Sequence, residues 1–451
     1  MKAQVKPQKN IKEPICFYRA HKNYSISVLH LTAHLGGGIG KALSGLVLNT
    51  HPEAGISHAI VCLELPEKMQ FIEELADSGC PVTVAPDRAT LFELIEASDI
   101  VQLEWWGHPA TVSALCDAPL PAMRLLVWCH ISGIHTPIIP SDLIRVATRC
   151  LFTSPCSYEA LEVENLRSSH QNRMDVIHSA GGFRGFELPN RNDNSQIVAG
   201  YLGSLNFAKL NPHYVEFLSA VKIPNFTVRM IGDIANRDIL ENQCRAVNRS
   251  GMLEFRGYNT DVASELAAIN IFPYLLNPLH YGTTENALLE AMAMGVVPIV
   301  LDNPAERYLV TDRKTGLIIR NRDEFADAVM WLANNPEERK KIAMQAAVSI
   351  RKRFAIERIT ERFNCHYESV SEEDKVNISF NSIFGETPAE WFLSSQRNPG
   401  VFLADTHSDM LDELALPGLL ERSKGSVFHY RKYFPEDPNL SLWCKRLEMP
   451  V

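Results

Sequence analysis

Along most of this chain, short apolar runs alternate with longer amphipathic stretches. After a polar leader over residues 1–24, Ile26 to Leu31 reads as a buried strand. It runs into the loop Gly36-Gly37-Gly38-Ile39-Gly40 and an apolar helix from Lys41 to about Asn49. Strands are then expected near Ala59 to Leu63, Asp99 to Glu104, Leu125 to Cys129, Cys150 to Thr153 and Met174 to Ile177. Helices are expected near Glu67 to Asp77 and from about Ala110, and Ser154, Pro155 and Glu159 fit the opening of another. A second series starts near residue 196, with strands at Ile197 to Leu202, Thr227 to Ile231, Leu253 to Phe255, Ile269 to Phe272 and Val297 to Val300. Helices from Tyr214, over Asp238 to Val247 and over Asn286 to Met294 separate them.

Strands alternating with helices of roughly 10 to 15 residues predict parallel sheets covered on both faces. The polar stretch from Pro189 to Ser195 parts the two series and reads as a hinge linker. Two Rossmann-like domains in tandem follow, over residues 25–188 and 196–370. In the trailing helices, Glu337 and Glu338 sit at the positive end of a helix dipole, and Ile342, Ala346, Ile350 and Phe354 form an apolar stripe. Residues 371–451 are net acidic with scattered aromatics. They are expected to form an α-rich appendage on the body, without a signature of role.

Composition narrows the class. At 451 residues the chain suits two or three domains of about 150 residues. With 46% hydrophobic and 22% charged residues it is globular rather than disordered. A net charge of −9 argues against general affinity for nucleic acid. The ten cysteines form no C-x-x-C pair and are expected to be buried thiols in a reducing, cytoplasmic setting. The leader lacks a signal-peptide core, and no apolar run approaches the ~20 residues of a membrane span.

Three segments carry candidate chemistry. In the glycine loop, bare amides can approach an anion at a helix N-terminus, with Gly37 and Gly38 at its centre. Leu35 and Ala42 stand where a Walker A loop needs Gly and Ser or Thr, so a P-loop NTPase is disfavoured. A second loop, Gly203 and Ser204 through Lys209, places an ammonium where it could neutralise a leaving diphosphate. In the third, Thr283, Thr284, Glu285 and Asn286 lead into a helix, and the threonines with the first-turn amides make a phosphate cradle. Glu290, inside that apolar helix, needs a hydroxyl or cationic partner, and a ribose diol would serve.

These residues resemble the retaining family 4 glycosyltransferases of GT-B fold. Glu290-Ala291-Met292-Ala293-Met294-Gly295 through Pro298 is similar to the end of the family's E-x7-E segment, which grips the donor nucleotide sugar. Gly203 to Lys209 resembles its G-R-L-(x3)-K, whose Arg and Lys hold the diphosphate. His130 matches the histidine beside the transferred sugar. The resemblance implies two facing Rossmann-like domains with a deep cleft and a metal-independent, retaining transfer from a nucleoside-diphosphate sugar, UDP favoured and GDP next. It implies no cofactor. Two positions depart from the pattern: Gly282 stands where the first acid belongs, with Glu285 three residues on, and Ser204 replaces the Arg.

Under this reading His130, Glu285 and Lys209 are the catalytic candidates. Base recognition is expected near Gly257 and Tyr258, and Trp105, Trp106 and His108 are acceptor-side candidates, with core packing an equal alternative for the Trp pair. His178 to Gly182 is expected to line the cleft. The basic set Arg339, Lys340, Lys341, Arg351, Lys352 and Arg353 reads as a solvated face or a peripheral membrane contact. The acceptor would be a sugar, a lipid-linked glycan or another hydroxyl, and a homo-oligomer is compatible. A sugar-nucleotide epimerase and a catalytically silent binding protein are the alternatives.

Overall fold

The computed structural model describes residues 15–16, 26–67, 69–189, 196–403 and 414–448. The expected hinge over residues 190–195 and most of the polar leader lie outside the described residues.

Two sheets dominate. The first has the order β1-β4-β3-β2-β5-β6-β7-β8, with β1 Ile15–Cys16, β2 Ile26–Thr32, β3 Ile56–Cys62, β4 Val82–Val84, β5 Ile100–Trp105, β6 Leu125–Cys129, β7 Arg149–Phe152 and β8 Met174–Val176. All its pairings are parallel except β1 with β4. The second has the order β11-β10-β9-β12-β13-β14, with β9 Ala199–Leu202, β10 Val228–Ile231, β11 Leu253–Gly257, β12 Ile271–Tyr274, β13 Val297–Leu301 and β14 Leu317–Ile319. Its pairings are parallel throughout. Strands β4 and β14, of three residues each, have no counterpart among the expected strands.

Period-2 alternation sorts the side chains of the first sheet. On β5, Val101, Leu103 and Trp105 face one way and join a core with Phe384, Phe392, Tyr430 and Trp443 of the C-terminal appendage. Ile100, Gln102 and Glu104 face the other way, beneath the Gly37–Asn49 and Ile356–Ser371 helices. The second of these helices follows the second domain in sequence, yet it packs on the first. Its Tyr367 hydroxyl donates to Gln102 Oε1 at 2.6 Å.

The appendage also reaches the second domain. Glu421 Oε1 accepts from Phe207 N–H at 2.7 Å and from Asn236 Nδ2 at 2.5 Å. Three residues later the same segment is back on the first domain, where Lys424 Nζ donates to His34 Nε2 at 2.9 Å. The appendage therefore straps one side of the cleft.

Candidate functional site

Loops at the carboxyl ends of the strands meet across the cleft, the position at which open α/β sheets bind ligands. The Asn286–Ala293 helix stands at the centre. Asn286 Nδ2 approaches the Gly38 carbonyl at 3.5 Å, so the glycine loop of the first domain lies against the helix start. The expected partner of Glu290 is a cation of this chain: Lys41 Nζ donates to Glu290 Oε1 and also lies 4.4 Å from the Phe186 ring. Lys41 has no role in the sequence reading, because without Walker A spacing it looks like an ordinary helix lysine.

Glu285, three residues after Gly282, turns its carboxylate back over that glycine. A Cβ on Gly282 would stand 1.8 Å from Glu285 Oε1, so the Glu285 carboxylate fills the room a side chain at 282 would need. Lys209 Nζ lies 2.8 Å from Glu285 Oε2, and the Tyr274 hydroxyl donates to the same oxygen at 2.7 Å. Burial opposes ionisation of Glu285, but Lys209 and His280 outweigh it and hold the carboxyl below its usual range. Burial likewise opposes the Lys209 charge, and Glu285 raises that ammonium above its ordinary value. His280 in turn lies 3.2 Å from buried Glu306, which overcomes the burial penalty and raises the imidazole.

Both threonine hydroxyls bond to Thr153. Thr153 Oγ1 donates to Thr283 Oγ1 at 2.6 Å, and Thr284 Oγ1 donates to the Thr153 carbonyl at 2.6 Å. Both threonines are buried. Thr283 is an acceptor in its pair with Thr153 and keeps its own proton, whereas Thr284 spends its proton on the Thr153 carbonyl; together they tie the loop before the Asn286–Ala293 helix to the residue that follows β7. The same carbonyl takes His178 Nδ1 at 2.8 Å, and Gly181 packs closely on Lys41.

On the first sheet, His130 Nε2 meets Glu104 Oε2 at 2.6 Å. Glu104 Oε1 is shared by Gln102 Nε2 at 2.8 Å and His30 Nδ1 at 3.3 Å. His30 continues to His58 at 2.9 Å. Burial works against the Glu104 carboxylate, but its histidine bonds prevail and keep it below the ordinary range. No sequence signal singles out Glu104; only the alternation on β5 places it under His130.

Trp105 is corrected to core. It is fully buried and stacks on Phe384 at 5.2 Å, because its strand face is the one the appendage covers. Trp106, one residue on, is half-buried on the rim, 4.9 Å from the His108 ring and 5.1 Å from the His34 ring. Ser204 Oγ accepts from Asn206 Nδ2 at 2.6 Å, shaping the loop where the family has Arg. At the end of β11 Gly257 takes φ +71, and Tyr258 beside it is 59% exposed. The basic set does not form one solvated face: Arg339 is buried against the Leu332 carbonyl, Arg351 bonds the Phe186 and Ala293 carbonyls, and Arg353 bonds those of Tyr308 and Leu309.

Comparison with known proteins bears on the fold. Residues 188–348 match the family model of glycosyl transferases group 1. The chain carries a group 1 glycosyltransferase domain. Its two Rossmann-like sheets form the GT-B fold, similar to Anabaena Alr3699/HepE in complex with UDP and glucose, at TM-score 0.61 and 15% identity over 76% of this chain and 100% of that one. Sucrose-phosphate synthase of Thermosynechococcus elongatus is similar at TM-score 0.56 and 14% identity, over 76% of this chain and 99% of that one. The lipopolysaccharide core biosynthesis glycosyltransferase LpsE of Rhizobium meliloti (strain 1021) is 23% identical over 147 residues. That match spans 32% of this chain and 42% of the curated relative's length. Among the described residues, no helix is long and apolar enough to cross a membrane.

Proposed function

We propose that this protein is a retaining glycosyltransferase that moves a sugar from a nucleoside-diphosphate sugar, UDP favoured and GDP next, to a hydroxyl of a glycan acceptor. The observation that carries the reading is the convergence of Lys209–Glu285 and Lys41–Glu290 on the start of the Asn286–Ala293 helix, facing the glycine loop. Residues 25–188, capped by the Ile356–Ser371 helix, form the acceptor side, and the rest of 196–370 the donor side. The UDP in HepE and the lipopolysaccharide role of LpsE support the choice of donor and acceptor class.

The acceptor oxygen bonds to the anomeric carbon as the bond to the diphosphate oxygen breaks, and the acceptor proton leaves with the diphosphate. Lys209, Lys41 and the amides of Gly37, Gly38 and the helix start meet the developing negative charge, with no metal in that role. Glu285 fixes the direction of the Lys209 ammonium and faces the sugar. His130, anchored through Nε2 by Glu104, presents Nδ1 to a sugar hydroxyl. Glu290 exchanges Lys41 for the ribose diol when the donor enters. The eight buried free thiols among the described cysteines support a reducing, cytoplasmic setting.

Thermal unfolding in EDTA with UDP, GDP, ADP and dTDP tests the donor site. A diphosphate at 100 times its Kd should add about 2.7 kcal/mol. Stabilisation by one diphosphate, lost in Glu290→Ala, is the expected result. A flat response to all four sinks the donor assignment. Turnover of the sugar nucleotide without acceptor would instead favour the epimerase.

A further inference from the structure

Three loops at the carboxyl ends of neighbouring strands β3, β2 and β5 bring Glu64, His34 and His108 together on the acceptor-side rim. Each offers one ligand atom, all within 4.8 Å of one another. Metal coordination is nevertheless opposed by the tautomer. His108 Nδ1 accepts the Ala110 N–H at 3.2 Å as a helix cap, which puts the ring proton on Nε2 and removes the lone pair a metal requires. That Nε2–H is buried and has no hydrogen-bond partner among the described residues; His108 itself is 1% exposed. His429, whose ring lies 4.7 Å from that of His108, accepts the Gly425 N–H on its Nδ1 at 3.0 Å and so also carries its proton on Nε2. The indole N–H of Trp106 is a further buried donor without a partner among the described residues. Lys424 adds an ammonium beside His34 and is 3.7 Å from Glu67.

What His108 and Trp106 lack is an oxygen to receive their N–H groups. We infer that His108, Trp106 and Lys424, with His429 beside them, form a subsite for an oxyanion, a carboxylate or phosphate borne by the acceptor. The chain's own Glu64 shows where such a group fits: its Oε1 stands 3.4 Å from His108 Nε2 without forming a hydrogen bond, and its side chain is 28% exposed and able to swing aside. The subsite adjoins the glycine loop, which begins two residues after His34, and its Lys424 and His429 are set in place by the strap anchored at Glu421. An acidic sugar held here would bring its hydroxyls towards the donor. The word acceptor rests on the transferase reading; the oxyanion site does not.

Titration calorimetry on the full chain with glucuronic acid, glucose 6-phosphate and glucose tests this and separates the two oxyanion sources. One charged sugar should bind at least about tenfold tighter than glucose, the scale of one charge-assisted hydrogen bond. Lys424→Met, at a partly exposed position, should erase that margin. Glu64→Gln removes the competing charge and should tighten the charged sugar about tenfold. Equal binding of glucose, or weaker binding of the charged sugar to Glu64→Gln, overturns the inference. Zinc binding that depends on Glu64 would overturn it as well. If UDP stabilises the protein and no charged sugar binds, only this inference fails; if a charged sugar binds and no diphosphate does, the transfer reading fails instead.

Discussion

The two rims of the cleft are built on opposite electrostatic plans. On the second-domain rim, proposed to hold the donor, the ionisable groups come as pairs, Lys209 with Glu285 and His280 with Glu306, while Glu290 takes Lys41 from across the cleft. On the acceptor rim, His108 and Trp106 keep buried N–H groups without a partner among the described residues. A buried charge is costly whether or not a ligand is present, so groups that must remain charged in the free protein carry their counter-ions with them. A neutral N–H costs far less to leave open, ~1–3 kcal/mol, and can wait for its oxygen. The donor rim is thus preorganised and self-neutralised, whereas the acceptor rim is incomplete until something binds.

The largest test strips the donor rim of one partner. Lys209→Met leaves Glu285, which is 3% exposed, without its ammonium. Breaking such a pair should cost ~3 kcal/mol, the low end of the buried range because Lys209 is 22% exposed. Urea unfolding measures the loss, and turnover should vanish with it. Next comes the displaced acid. Gly282→Ala drives a methyl against the Glu285 carboxylate and should cost ~2 kcal/mol. The double variant Gly282→Glu with Glu285→Gly returns the acid to the family position and should recover stability and donor binding together. A double variant no better than Gly282→Ala would show that the two positions do not share one space.

Smaller effects probe the seam between the rims. Thr153→Val removes the hydroxyl that joins Thr283 and should cost ~1 kcal/mol. It should loosen the donor loop, so UDP affinity should fall with it. Last is His178, whose pKa burial lowers from 6.5 to about 4. Its depressed value means the unfolded chain takes the proton first, so stability falls as pH drops from 6.5 towards 4. By pH 5.5 this group should have cost about 1 kcal/mol relative to pH 7.5. His178→Gln should flatten that part of the profile, read as the difference in Tm between the two proteins across pH.

Much of this was legible in the residues. The order of strands and helices, the glycine loop, Lys209 and the Asn286–Ala293 helix stand out because periodicity and helix-start chemistry are local properties. Glu104, Tyr274, Glu306 and Thr153 were not legible, since each acts through a contact with a residue well separated from it in sequence. The Thr283 and Thr284 hydroxyls show the limit most plainly. Local chemistry suits them to phosphate, and nothing local shows that Thr153, just after β7 of the other domain, bonds to both.

By itself, then, the sequence determined two parallel sheets, the position of the glycine-rich and polar loops at strand ends, and the need of Glu290 for a partner. The tertiary structure alone decided that this partner is Lys41, that Glu285 occupies the room above Gly282, and that Trp105 belongs to the core while Trp106 and His108 reach the rim. Hydrophobic pattern fixes which face of an element is buried. Which polar group finds which partner depends on how separate elements dock, and no local pattern encodes that.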